Sequence, residues 1–98
     1  MAFEIILKKR FLNKLTKTLA YLEKEWTHEV AVVFLQKIER RLEQLSKQPH
    51  LGAPSSKVKN IRAVLITKHN KMYYKVKGKY IFILNMYDTR INPSKNPY

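Results

Sequence analysis

Phe11, Leu12, Leu15, Leu19, Leu22 and Trp26 recur every three or four positions. After one break at Thr27 the same spacing resumes through Ala31, Phe34, Leu35, Ile38, Leu42 and Leu45. Apolar residues so spaced line one side of an α-helix. Two such stripes with almost no linker specify an αα-hairpin, and its joined apolar face has to be covered by a third surface. Lys14, Lys17 and Lys24 fall largely on the opposite side of the first helix. Thr27 suits the N-cap of the second, Glu29 places a negative charge in its first turn, and Pro49 stops it.

The covering surface is legible on either side of the hairpin. AFEIIL (2–7) is short and rich in β-formers, and predicts a first strand. HLGAPSSKVKN (50–60) reads as a loop. IRAVLITK (61–68), MYYKVK (72–77) and YIFILNMY (80–87) then read as three strands, separated by turn residues at His69–Asn70 and at Gly78. The last run is apolar almost throughout, as in a central strand covered on both sides. The tail DTRINPSKNPY, with two prolines, reads as extended. The expected architecture is α+β, in the order β-α-α-β-β-β: a helical hairpin on a mostly antiparallel four-stranded sheet, in a single domain spanning residues 1–98. Alternation sends Arg62, Val64, Ile66 and Lys68 to one face, and Ile61, Ala63, Leu65 and Thr67 to the other. Tyr73 and Lys75 likewise oppose Met72, Tyr74 and Val76. One face covers the helices. The other is left with cations beside aromatic rings, a pairing that suits phosphate contacts and base stacking.

Charge narrows the partner. No Asp or Glu occurs between Gln44 and Tyr87, whereas nine Lys or Arg do. Residues 44–98 carry eleven basic side chains and one acid, Asp88, and the whole chain carries a net charge of +13. A solvated basic surface aids solubility, but solubility does not require one half to lack nearly all acids. Such an excess is relieved by a polyanion or an acidic protein. There is no cysteine, MAFEIILKKR puts its charges after its apolar run, the reverse of a secretory signal, and no apolar stretch approaches the roughly 20 residues that cross a bilayer. A small cytoplasmic protein without membrane contact is expected.

For chemistry, His28, His50 and His69 are far apart, no metal-binding spacing or glycine-rich phosphate loop occurs, and no metal or cofactor is expected. Metal-free RNA cleavage stays open. There the substrate's 2′-hydroxyl attacks the adjacent phosphate, and the enzyme supplies a proton acceptor, a donor for the leaving oxygen and cations for the developing charge. Arg62, Arg90 and Lys71 are the candidate cations. His69, Tyr87 and Tyr98 are alternatives for the acid–base roles. Lys57, Lys59, Lys68, His69, Tyr73 and Lys75 are candidate RNA contacts.

The segment from Phe11 to Gly52, with Trp26 near the inter-helix turn and Pro49 three residues before Gly52, resembles the helical hairpin of RelE/ParE-superfamily toxins of type II toxin–antitoxin, or plasmid stabilisation, modules. The strand pair carrying Arg62, His69, Tyr73 and Tyr74, and the ending with Asp88, Arg90, Asn92 and Pro93, resemble their second half. The resemblance covers essentially the whole chain and implies two branches. RelE-like members are ribosome-dependent mRNA endonucleases, and Arg62, Lys71 and Arg90 occupy places that match their basic site residues, with Tyr98 as the terminal tyrosine. No glutamate lies between Glu43 and Asp88 and no His-Tyr pair follows Arg90, both departures from RelE-like patterns. ParE-like members poison DNA gyrase and have no nuclease site. The expected function is a RelE-like endonuclease that inhibits translation, with ribosome and mRNA as partners. The alternative is a ParE-like gyrase poison, and a plain nucleic-acid-binding module is the reading outside the toxin class. Both toxin branches imply a cognate acidic antitoxin that wraps a segment around the fold.

Overall fold

The computed structural model describes residues 2–98. Strand β1 (Glu4–Leu7) leads into helices α1 (Lys9–Glu25) and α2 (His28–Lys47), followed by β2 (Ala53–Pro54), β3 (Arg62–Thr67), β4 (Asn70–Lys77), β5 (Tyr80–Asp88) and a 3-10 turn at Pro93–Lys95. The strands form one five-stranded sheet in the order β1-β5-β4-β3-β2. β1 runs parallel to β5, and the other three pairings are antiparallel. The expected helical hairpin on a mostly antiparallel sheet is therefore present, with one strand more than expected. That extra strand, β2, lies inside the segment read as a loop. Two residues bonded to Arg62 and Ala63 have no periodicity to betray them. The tail differs as well: Asn92 accepts a hydrogen bond from Ser94 N–H at 3.0 Å and caps a turn where extended chain was expected.

The helices form where the stripes predict. Thr27 Oγ1 accepts from Val30 N–H at 3.1 Å, Glu29 sits in the first turn of α2 and Lys47 in the last, each with the sign that suits the helix dipole. Phe11, Phe34, Ile38 and Leu45 are buried against Val64, Ile66, Met72, Tyr74, Ile81, Ile83 and Met86, with Leu15, Leu19, Leu22 and Leu42 packed around them. Trp26 departs from its stripe. The helix ends at Glu25, so the indole stands at the turn and is 66% exposed.

Strand β5 keeps its core side through a bulge. Tyr73 pairs with Asn85 and Tyr74 with Ile83, leaving Leu84 unpaired. The extra residue re-phases the alternation, so Met86 joins Ile81 and Ile83 in the core while Asn85 and Tyr87 turn to the opposite face.

Candidate functional site

Directly opposed residues on neighbouring strands share a face. Away from the helices, register therefore aligns Ala63, Tyr73 and Asn85 in one row, Leu65, Lys71 and Tyr87 in a second, and Lys75 with Phe82 in a third. This is the face with cations beside rings that the alternation predicts, and Tyr98 adds a third tyrosine to it. The Tyr98 ring stacks on Tyr73 with centroids 5.1 Å apart and planes at 25°, and Tyr87 stands edge-on to Tyr73 at 6.2 Å. Lys14 reaches over from α1 to place its ammonium 5.2 Å from the Tyr87 ring centre. A concavity of about 530 Å³ opens here, lined by Lys57, Leu65, Lys71, Tyr73, Tyr87 and Tyr98 among others.

Arg62 does not belong to this face. It pairs in register with Tyr74, whose side chain is in the core, and its guanidinium donates to the Gly52 carbonyl at 2.7 Å and to the His50 carbonyl at 3.5 Å. The same loop is pinned by Tyr74, which donates to the Pro49 carbonyl at 2.8 Å and accepts from Gly52 N–H at 2.9 Å. Burial pushes the Tyr74 phenol above its ordinary value, while the Gly52 N–H and the Arg62 charge pull the other way. Gly52 is required at this contact, because a Cβ there would lie 2.7 Å from the Ala63 carbonyl oxygen and 2.8 Å from the Tyr74 ring.

Arg90 is engaged elsewhere. Its guanidinium bonds both carboxyl oxygens of Asp88, Nε to Oδ1 at 2.9 Å and Nη2 to Oδ2 at 2.7 Å. That fork holds Asp88 down at about 2, against a smaller upward push from partial burial, and raises Arg90 in turn. Arg90 and His69 line a separate concavity of about 600 Å³ between α1 and the end of β5, together with Lys14, Lys17, Tyr21 and Trp26. Arg62 lines a third of about 550 Å³, with His50, Lys59 and Lys75. The three candidate catalytic cations thus line three different concavities, which adjoin one another through Pro54 and Ser55 and through Tyr87, Asp88 and Ile91. Lys71 shares its concavity with Tyr73, Tyr87 and Tyr98, Arg62 shares its own with Lys59 and Lys75, and Arg90 shares its own with His69. Lys68 stands exposed on the β3–β4 turn. The Lys57 ammonium donates to the backbone carbonyls of Pro93 and Asn96. Among the described residues no group of three or more His, Asp or Glu side chains gathers closely enough to hold a metal ion, and no helix is long and apolar enough to cross a membrane.

Several contributors lay outside the sequence reading. The Ser55 hydroxyl and the Asn96 amide both hold the tail, at positions read as loop and extended chain. Arg41 on α2 donates to the Leu65 carbonyl at 2.8 Å, closing one polar group of the β3 edge beyond the short β2. No spacing signals these contacts, because each joins residues far apart in the chain, across irregular segments or between layers.

A basic hairpin-on-sheet domain of this size and strand order is the architecture of toxins from toxin–antitoxin modules. Over residues 5–92 the sequence matches the family described as the ParE toxin of the type II toxin–antitoxin system parDE, and the chain belongs to that family. A chromosomal ParDE system from P. aeruginosa contains a chain of similar fold, with a TM-score of 0.75 and 20% identity over 89% of this chain and 96% of that one. A copper-bound mutant toxin from Helicobacter pylori matches with a TM-score of 0.59 and 19% identity, over 89% of this chain and 94% of that one. A conserved hypothetical protein from the same organism, solved in solution, matches with a TM-score of 0.55 and 24% identity over the same shares. These likenesses show the fold. No curated protein matches the sequence.

Proposed function

We propose that the chain is a gyrase-directed toxin that acts by binding its target, with no strand-cleaving chemistry of its own. The observation that carries this reading is the dispersal of Arg62, Lys71 and Arg90 over three concavities. Metal-free RNA cleavage requires its cations, acceptor and donor within hydrogen-bond reach of one phosphate. Here Arg62 is committed to the Gly52 carbonyl and Arg90 to Asp88. Membership of the ParE family supports the same branch. Lys71, Tyr73 and Lys75 on the free face, with Lys57, Lys59 and Lys68 around it, are then contacts for a protein or protein–DNA target. A ribosome-dependent nuclease is the second reading, favoured by Lys71, Tyr87 and Tyr98 meeting in one concavity.

Neutralisation falls to a cognate antitoxin. The groove between α1, the start of α2 and the β3–β4 turn has an apolar floor at Leu22, Val33 and Phe34. Lys37 and Glu29 stand at its edge, and the adjoining concavity, which shares Leu22 and Phe34, adds Lys14, Lys17 and Arg90. An apolar floor with a basic rim suits an amphipathic acidic helix. The test is to add purified chain to a gyrase supercoiling reaction and, separately, to a translating ribosome preparation. Inhibited supercoiling with transcripts left whole supports the proposal. Discrete transcript cuts that disappear in Lys71→Ala overturn it in favour of the nuclease.

A further inference from the structure

The two edges of the sheet are finished differently. At one edge β3 is covered by β2 and by Arg41, whose Nε donates to the Leu65 carbonyl. At the other, β1 pairs only with β5. In that parallel ladder the Glu4 and Lys8 N–H groups donate inward, to the Lys79 carbonyl at 2.9 Å and the Ile83 carbonyl at 3.0 Å. Backbone direction alternates along a strand, so Ile6 also faces β5, while Phe3, Ile5 and Leu7 turn their N–H and C=O groups outward. The Phe3 N–H is taken by the Ser46 carbonyl at the end of α2, at 2.7 Å. Among the described residues Ile5 and Leu7 have no such backbone partner on their outer side. An open row of this kind is a template for another strand.

One antiparallel register about a twofold axis pairs both open residues. Centring the axis on Ile5 sets Leu7 against the occupied Phe3, and centring it on Leu7 sets Ile5 against Lys9, already the first residue of α1. Centring it on Ile6 sets Ile5 against Leu7 of a second copy, and Leu7 against its Ile5. Each such pair exchanges both backbone hydrogen bonds. The side chains select the same register independently. Glu4, Ile6 and Lys8 alternate onto the sheet face away from the helices, where the Lys8 ammonium stands 5.7 Å from the Phe82 ring centre. With the axis on Ile6, Glu4 falls opposite Lys8 of the second copy, and Lys8 opposite its Glu4. Opposite charges directly across an antiparallel pair stabilise it. Glu4 is exposed and, among the described residues, has no ion pair within its own chain, in a molecule of net charge +13. Ile5, Ile6 and Leu7 are half-buried, and a second strand covers apolar surface that they leave in water.

We propose that the β1 edge is a self-recognition surface, on which a second copy of this chain adds its own β1 antiparallel and joins the two sheets into one. The contact is isologous, as a twofold axis requires. Its paired run is short and the net charge opposes it, so the dimer is weak, with a dissociation constant on the order of millimolar. A lysine at a strand edge can instead keep other strands away. The two roles of Lys8 give opposite responses to its reversal.

The test is sedimentation equilibrium of the full chain up to millimolar concentration, beside Glu4→Lys, Lys8→Glu and the double reversal. Each single reversal sets like charges across the axis at both places, and is expected to weaken dimerisation by about tenfold. The double reversal is expected to restore it. Lys8→Glu also lowers the net charge, so a guarding lysine or general repulsion gives tighter association where the proposal gives weaker. Lys8 makes no side-chain cap to α1, so its replacement leaves the helix start intact. A second measurement uses the absence of cysteine from the chain. Residues opposed in a non-hydrogen-bonded antiparallel pair stand about 4.5 Å apart, within disulfide reach, and Ile6→Cys places such a pair on the axis. Air oxidation of Ile6→Cys is expected to give linked dimer at least about tenfold faster than Lys24→Cys, at the other end of α1. A wholly monomeric chain, tightening in Lys8→Glu, no recovery in the double reversal, or equal oxidation of the two cysteine variants would each overturn the proposal. No gyrase is present, so the outcome is independent of the gyrase reading.

Discussion

Replacing Tyr74 by Phe removes one oxygen atom from the centre of the loop anchor. The ring is fully buried, and its hydroxyl is the donor to Pro49 and the acceptor for Gly52 at 2.8 and 2.9 Å. Phe preserves the packing, so no cavity term enters, but the buried Gly52 N–H loses its partner. A net hydrogen bond contributes about 1 kcal/mol, and a buried donor left unpaired costs about 1–3 kcal/mol. The half-buried Pro49 can turn its carbonyl to water, so a loss of about 2–3 kcal/mol is expected. For a domain of this length that corresponds to a fall in melting temperature of roughly 10–20 °C. Urea unfolding should show the loss as a lower midpoint with an unchanged slope, because both chains expose the same surface. The pH dependence gives an independent check. Burial raises the folded phenol above its ordinary value of 10.0, so its contribution is fully present below pH 10 and is lost as pH rises through the folded value. The unaltered chain should lose stability more steeply above pH 10 than Tyr74→Phe. A variant within about 0.5 kcal/mol of the parent, the range of a neutral surface change, with the same alkaline slope, would refute the anchor.

Three further outcomes follow from the same contacts. Arg62→Ala removes the 2.7 Å bond to the Gly52 carbonyl and should cost about 1–2 kcal/mol in urea unfolding while leaving the proposed gyrase inhibition unchanged per folded molecule. Gly78 has φ +61° and open space where a Cβ would stand, so Gly78→Ala should cost about 1 kcal/mol from backbone strain alone, measured as a lower melting temperature. Asp88 is depressed from 3.8 to about 2, so its contribution is present above its unfolded value and is lost as pH falls from about 4 to about 2. Since Arg90 is two-thirds exposed, that contribution should stay below about 1 kcal/mol, and Asp88→Asn should flatten the acid limb of a stability–pH curve over that window.

Elements with a strong period were legible before the structure. Both helices, their shared turn and the three strands β3, β4 and β5 follow from the spacing of apolar residues, and the opposite facing of Tyr73 and Tyr74 follows from strand alternation. Arg62 shows how a reading of chemistry can run against a reading of geometry. Alternation had already put it on the side of Val64 and Ile66, which is the core side, while its charge suggested phosphate. Asp88 and Arg90 were both visible as residues, but the two-residue offset that lets the carboxylate capture the guanidinium depends on a turn that sequence does not specify. The bulge at Leu84, the two-residue β2 and the folded-back tail were illegible for a common reason: each is set by long-range partners such as Ser55, Lys57 and Ala63, with no local pattern of its own.

The central claim is that this cationic domain stops its target by occupying it. The most direct measurement incubates the chain with gyrase and relaxed plasmid, and in parallel maps RNA 5′ ends on translating ribosomes. The account predicts loss of supercoiling at stoichiometric toxin with transcripts unbroken. Intact supercoiling accompanied by cuts that depend on Lys71 and Tyr98 would contradict it.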